Sequence, residues 1–352
     1  MPSARPWRPK RVLVTRSARE WPHGLGIAER CAAAGLEVVE LATDRVVLPD
    51  VDPSRGYAEA KATLAVTVAP PSKRRLQPIP PSADWRVDLA EGCPAHCAYC
   101  YLAGSLKGPP VTRVYANLPE ILAELPNHLG QGRITSRSEA RAHEGTTFEA
   151  SCYTDPLGIE HLTGSLGALV EWFGGWRADA QLRFTTKFAD VSPLTGLAHG
   201  GRVRMRASVN PPAYARFEGG TSPVAERLQA LRRMADAGYL VGLTVAPIIH
   251  APGWEEAYDG LIASAAAAFE GSTPDLTVEL ITHRFTPGSK AVLESWYPAS
   301  KLNMGSERRA EKRTKFGSVK HVYDRETMKE LRGFFEERIA ARLPHARILY
   351  WT

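Results

Sequence analysis

The chain has 352 residues, 44% hydrophobic and 23% charged, an ordinary globular composition with ample material for a large core, and carries a net charge of +6 with a pI near 9.1. Its five cysteines (Cys31, Cys93, Cys97, Cys100 and Cys152) are an odd number with three in one short stretch, which argues against a disulfide framework and fits a reducing cytoplasm. No run of about 18 apolar residues exists, so no spanning helix is expected; the arginine-rich start, Arg5 to Arg19, lacks an apolar signal core and reads as mature protein.

The first 80 or so residues predict a small α/β unit. Val12 to Val14 is a short apolar strand, Gly24 to Ala34 a helix closed by Gly35, and Leu36 to Leu41 an alternating strand. Tyr57 to Ala62 reads as a further helix before the strand Thr63 to Val68. A basic, proline-rich connector, Pro70 to Pro81, marks a domain joint.

From Trp85 the pattern alternates strand and helix. Strands are expected at Arg86–Ala90, Thr146–Ser151, Gln181–Thr186, Arg202–Val209, Leu240–Pro247 and Leu276–Ile281; helices at Leu118–Leu129, His161–Trp172, Val224–Ala237 and Trp254–Phe269, with a shorter one near Pro193–His199. Such alternation predicts a parallel sheet with crossover helices. Six repeats in about 200 residues are too few for a closed eight-fold barrel of about 250 residues and suit a partial barrel of six.

In such folds ligands gather beyond the carboxyl ends of the strands. Those ends carry, in order, the three-cysteine loop, Cys152-Tyr153-Thr154-Asp155, Lys187, Ser208 with Asn210, His250, and His283 with Arg284. After residue 290 the pattern changes. Between Lys301 and Lys320 seven basic residues face two acidic ones, a local charge of +5. Lys312 to Tyr323 reads as a hairpin broken at Gly317, followed by a helix Arg325–Ala341 capped by Asp324 and a last strand Ile348–Trp351. The expected division is 1–82, an N-terminal α/β unit and connector; 83–290, the partial barrel; and 291–352, the hairpin, helix and last strand.

The loop Glu91-Gly92-Cys93-Pro94-Ala95-His96-Cys97-Ala98-Tyr99-Cys100-Tyr101-Leu102 spaces its cysteines C-x3-C-x2-C. A protein-saturated 4Fe-4S cube takes four thiolates, so three in one loop leave one iron open. The competing readings are a zinc knuckle completed by His96, made awkward by His96 directly preceding Cys97, and a disulfide pair with a spare thiol. The order, the spacing and the aromatic Tyr99 resemble the cluster loop of the radical S-adenosylmethionine (SAM) superfamily, in which the amino and carboxylate groups of SAM fill the vacant iron.

Further motifs resemble one family of that superfamily, spore photoproduct lyase. They are FEASCYTDPLGIEHLT from Phe148 to Thr163, CAYCYL from Cys97, RVYANL from Arg113, RFTTK from Arg183, Gly238-Tyr239, VAPI from Val245, Gly253-Trp254-Glu255 and ELITHRFT from Glu279, spanning nearly the whole chain. The resemblance implies an α/β, partial (β/α)6 TIM-type barrel of the radical SAM type. It also implies a lyase that uses a 5'-deoxyadenosyl radical from SAM to revert a thymine dimer, the spore photoproduct, to two thymines. Cys93, Cys97 and Cys100 then hold the 4Fe-4S cluster; Thr154, where the family is expected to have serine, Lys187 and Ser208 contact SAM; Cys152 gives the hydrogen atom that ends the reaction; Tyr99 and Tyr101 return it. A thiol at a strand's carboxyl end suits that role, whereas a lone cysteine is otherwise a small buried hydrophobe, the role assigned to Cys31.

The basic hairpin resembles the family's DNA-engaging hairpin, which implies Arg284, Lys312, Arg313, Lys315, Phe316 and Lys320 as DNA contacts, with binding that weakens in salt. Lys315 and Phe316 stand where the family has an arginine-tyrosine pair. Two alternatives therefore remain at this stage: a related radical SAM enzyme acting on another lesion or modified base, and a non-catalytic iron-sulfur DNA-binding protein. The expected partners are ultraviolet-damaged DNA and an electron donor such as a flavodoxin or ferredoxin, with no membrane and a monomeric chain in the cytoplasm.

Overall fold

The structure, a computed structural model, describes residues 6–48, 53–105, 110–305, 307–313 and 319–352. The N-terminal unit runs β1 (Arg11–Val14), α1 (Pro22–Ala33), β2 (Glu37–Glu40), α2 (Pro53–Lys61) and β3 (Thr63–Thr67). β1 lies between β2 and β3, parallel to both, with Leu13 opposite Val39 and Ala65. The connector folds into α3 (Pro71–Arg74) and β4 (Gln77–Ile79), and the chain continues through β5 (Ala83–Val87), β6 (Ala90–Glu91), β7 (His96–Cys97) and β8 (Thr112–Tyr115). β8 joins β3 and brings β6 with it, so the first sheet is ordered β2-β1-β3-β8-β6. The three-cysteine loop thus leaves from the seam between the two sheets.

The second sheet contains β9 (Thr146–Ala150), β10 (Ala180–Thr186), β11 (Val203–Val209), β13 (Leu240–Ile248), β14 (Leu276–Thr282) and β17 (Arg347–Trp351), while β12 (Glu218–Gly219) pairs with β7 outside it. Its order is β17-β14-β13-β11-β10-β9-β5-β4, parallel from β5 to β17 and antiparallel only at β4. The last strand adds a seventh parallel member to the six expected. Between the strands run α4 (Leu118–Ala123), α5 (Glu160–Thr163), α6 (Ser165–Gly175), α7 (Val224–Asp236) and α8 (Trp254–Ala268); α9 (Pro287–Trp296), the strands β15 (Arg309–Arg313) and β16 (Val319–Tyr323), and α10 (Arg325–Arg342) follow β14.

The sheet curls into an open half-barrel. Arg206 on β11 bonds Glu149 on β9 and, at 2.6 Å, Glu279 on β14; in a flat sheet those outer two strands would stand roughly 19 Å apart, four spacings of about 4.8 Å. One guanidinium spans them only because the sheet bends around it. Apolar strand residues such as Phe148, Leu182, Phe184, Met205, Val241 and Val278 pack the core against the helices.

Several expected helices differ in extent. His161–Trp172 is two helices because Gly164, at φ +63°, breaks the run. Leu118–Leu129 stops at Ala123, and Pro126 starts a separate short turn. Pro193–His199 forms turns only, with Gly196 in mid-run. α9 was not expected; Thr286 and Ser289 close its capping box. Among the described residues no helix is long and apolar enough to cross a membrane.

Candidate active site

The cluster loop is held on three sides. β7 pairs antiparallel with β12, Cys97 opposite Glu218, and the Ala98 amide donates to the Phe217 carbonyl at 2.9 Å. Gly92, at φ +77°, presses on Val111, whose carbonyl oxygen would lie 2.2 Å from any Cβ, so only glycine fits that bend. From α2, the Lys61 ammonium donates to the carbonyls of Cys93 and Ala95. Cys97 is buried, with Cys93 and Cys100 half-buried beside it. Burial pushes the Cys93 thiol up to about 11, with Lys61 opposing.

His96 projects to the opposite side of β7 from Cys97, its Nδ1 3.3 Å from the Tyr57 hydroxyl. Burial, then Lys61, lowers its pKa to about 4. Among the described residues no three His, Cys, Asp or Glu side chains, the three cysteines included, are grouped to chelate one ion, so each thiol would take an iron of its own. His96 therefore does not complete a zinc site with the thiols. Three soft sulfurs without a nearby imidazole are a donor set for iron and sulfide.

Thr154, Lys187 and Ser208 lie at or just after the carboxyl ends of the adjacent strands β9, β10 and β11, and the Lys187 ammonium is 5.4 Å from the ring centre of Tyr99 in that loop. Glu218 is the hub. Its Oε1 accepts from Lys187 at 2.7 Å and from Tyr99, and its Oε2 pairs with Arg227 at 2.6 Å. Asn210 reaches the same carboxylate at 3.3 Å. Burial raises the Glu218 pKa, but Lys187 and Arg227 outweigh it and hold the group at about 2. Asp155 anchors the Lys187 amide at 2.7 Å and the Thr186 hydroxyl at 2.7 Å. The buried Thr154 hydroxyl oxygen has no hydrogen-bond partner among the described residues, an open polar position of the kind a polar cofactor occupies.

Cys152 follows β9, two residues before Thr154. Ser151 holds φ +54°, its amide donating to Val87 at 2.6 Å and its hydroxyl accepting from Leu89 at 3.0 Å; this turn sets the direction of the cysteine. Burial, then the carboxylates of Glu149 and Asp88, push the Cys152 thiol well above its ordinary range, against Arg206 and Arg86. It stays S–H. Tyr101, 63% exposed, donates its hydroxyl to the Cys152 carbonyl. Tyr99 is turned to Glu218 instead. Cys31, fully buried in α1, packs as expected.

The hairpin is fastened to the barrel by Arg309. Its guanidinium donates to the His283 carbonyl at 2.5 Å, meets His283 Nδ1 at 3.0 Å and lies 3.8 Å from the Tyr323 ring centre. Burial, then Arg309, lowers the pKa of His283, 2% exposed, to about 3, so a neutral imidazole receives the bond. Phe285 and His321 exchange backbone bonds at 3.2 and 2.8 Å. Lys312 stands directly opposite Lys320, hence on one face, and Arg284 lies close enough that it and Lys312, after burial, lower the Lys320 pKa. Arg313, opposite Val319, belongs to the other face. Lys315 and Phe316 lie outside the described residues.

The sequence model described as Spore photoproduct lyase matches residues 7–352. This chain belongs to the spore photoproduct lyase family. It is 38% identical to a spore photoproduct lyase of Geobacillus sp., covering 99% of this chain and 100% of that one, and 36% identical to one of Bacillus subtilis, covering 99% of each. A solved spore photoproduct lyase complexed with dinucleoside spore photoproduct superposes with a TM-score of 0.90 at 36% identity, covering 99% of this chain and 100% of that one. A substituted spore photoproduct lyase with bound AdoMet and the same lesion superposes at 0.89, with the same identity and coverage. The family makes the chain a radical SAM lyase with a partial barrel.

Sequence reasoning missed Glu218, Lys61, Arg309 and the Glu149–Arg206–Glu279 bridge. Glu149 and Glu279 lie inside family motifs, but as interior strand residues they carried no separate signal.

Proposed function

We propose that this chain reverts spore photoproduct in ultraviolet-damaged DNA to two thymines, with Cys152 as the hydrogen-atom donor. The observation that carries the reading is a half-buried thiol, kept S–H by desolvation and by Glu149 and Asp88, at a strand's carboxyl end with Tyr101 bonded to its carbonyl. The named lyase relatives and the lesion-bound solved structures support it.

Cys93, Cys97 and Cys100 hold a 4Fe-4S cluster, and Thr154, Lys187 and Ser208 line the SAM site. SAM, bound with the reduced cluster, supplies the radical that takes hydrogen from the lesion. The remaining work belongs to side chains. The Cys152 S–H bond breaks homolytically, its hydrogen passing to the carbon radical left on the repaired thymine; the sulfur radical then takes a hydrogen atom from the Tyr101 phenol, and the Tyr101 phenoxyl radical regains one from the methyl group of the 5'-deoxyadenosine that SAM cleavage would supply. A thiolate has no hydrogen to give, so the upward pKa shift serves this step. Arg284, Lys312 and Lys320 hold DNA phosphates; base extrusion brings the lesion to the half-buried thiol. Residues 83–290 carry the chemistry and 291–352 present the DNA. The chain works as a cytoplasmic monomer reduced by a flavodoxin or ferredoxin.

The test is anaerobic incubation of reconstituted protein with dithionite, SAM and dinucleotide spore photoproduct. Thymidylyl-thymidine should form, together with SAM cleavage. Cleavage without repair of the dinucleotide or of lesion DNA would point to another lesion; no cleavage would sink any radical SAM reading. In Cys152→Ala, SAM cleavage should persist while clean repair falls at least tenfold and adducts appear. Unchanged clean repair would remove Cys152 from the reaction.

A further inference from the structure

Tyr57 and Lys61 are four residues apart on α2 and so share a face of that helix. That face meets the cysteine loop. Tyr57 bonds the Tyr297 hydroxyl, stacks on Trp296 with ring centres 5.0 Å apart and approaches His96 Nδ1 at 3.3 Å. Lys61 is only 6% exposed, and among the described residues its hydrogen-bond partners are the carbonyls of Cys93 and Ala95 rather than a carboxylate. A buried ammonium satisfied by carbonyls alone still carries an uncompensated charge, which is costly unless negative charge lies nearby. The thiolates of the loop are the compensating charge, since it is the thiolate form of cysteine that binds metal.

We propose that Lys61 is a positioning residue of the cluster: it fixes the Cys93–Ala95 backbone for ligation, and its fixed positive charge raises the cluster's reduction potential. This rests on the reading that Cys93, Cys97 and Cys100 bind a 4Fe-4S cluster. One-electron reduction adds a negative charge to the site, and cluster potentials respond to net charge and nearby hydrogen bonds. The N-terminal unit thereby acts on the barrel's chemistry through one side chain that reaches over the seam.

The experiment compares reconstituted full-length wild type, Lys61→Met and Lys61→Arg by iron and sulfide content and by EPR-monitored redox titration without SAM. In Lys61→Met the equilibrium constant for one-electron reduction should fall about tenfold, a shift of about 59 mV to more negative potential. Lys61→Arg should recover most of it. Failure of Lys61→Met to take up iron, with an unchanged melting temperature of the metal-free protein, would equally support positioning. A fully loaded Lys61→Met at the wild-type potential, or Lys61→Arg shifted as far as Lys61→Met, would overturn the proposal. So would a metal-free Lys61→Met that does not fold, which assigns Lys61 to the scaffold. Wild type that binds no iron fails the cluster reading itself, an outcome visible before any variant is compared.

Discussion

Tyr99 and Tyr101 sit two residues apart in one loop and meet opposite surroundings. Tyr99 is half-buried and tied into the Glu218 hub with Lys187 and Arg227. Tyr101 is largely exposed and among the described residues bonds only a backbone carbonyl, that of Cys152, with Arg284 near enough to feel its charge. The first surroundings are a closed ionic knot, already assembled, such as suits a small ligand of fixed shape. The second are open, with cations held apart on a hairpin face, as suits a long polyanion that must enter and leave. Closed on one wall and open on the other, the strand ends can grip a constant cofactor and admit a variable polymer.

The largest effect should come from breaking the closed wall. Glu218→Ala leaves the buried Arg227 and the half-buried Lys187 without their counter-charge, and removing one partner of such a group costs about 3–5 kcal/mol. Denaturant unfolding of the metal-free protein measures it; a loss below about 1 kcal/mol would show that the knot is not a structural element. The pH dependence has a definite sign. Because Lys187 and Arg227 hold Glu218 below its ordinary value of 4.5, its contribution is present above that pH and is lost as pH falls toward about 2. Across this window wild type should lose more stability than Glu218→Gln, which has no carboxylate to protonate.

The open wall should respond to salt instead. Lys312→Ala and Lys320→Ala should each weaken binding to duplex DNA and lower the slope of log affinity against log salt by about 1. Arg313→Ala, on the other hairpin face, should change that slope by less than half as much. Equal slopes for all three variants would mean that the face shared by Lys312, Lys320 and Arg284 is not the one that meets phosphate.

What was readable in the sequence divides along similar lines. Alternating apolar runs announce the parallel strands because a buried strand must be apolar whatever it neighbours. They do not announce where a helix ends, which at Gly164 and Pro126 depends on one residue, nor that β17 would return to pair with β14. α9 had a legible start in Thr286-Pro287, passed over because its hydrophobic pattern is weak. Cys93, Cys97 and Cys100 can be read together since they are neighbours in the chain. Glu218 cannot, for it lies 119 residues from Tyr99 and no spacing rule links them. Lys61 and Arg309 look like ordinary solvated cations until the fold places a buried backbone or a histidine against them.

The smallest effect falls on Tyr101 and tests the comparison most finely. In Tyr101→Phe, water can replace the lost bond to the Cys152 carbonyl, so stability should change by no more than about 0.5 kcal/mol. Tyr99→Phe removes one hydrogen bond to the charged Glu218 carboxylate, whose Oε1 keeps Lys187 and Asn210, and should cost about 1.5–3 kcal/mol. Their products should differ in the opposite sense. With no phenolic hydrogen beside Cys152, Tyr101→Phe should release several-fold more 5'-deoxyadenosine per thymine pair repaired, while Tyr99→Phe changes that ratio less. The two are measured in one anaerobic assay by chromatography. A Tyr99→Phe ratio as high as that of Tyr101→Phe would show that hydrogen returns through both tyrosines, and that the Glu218 knot loosens during turnover enough for Tyr99 to join the open wall.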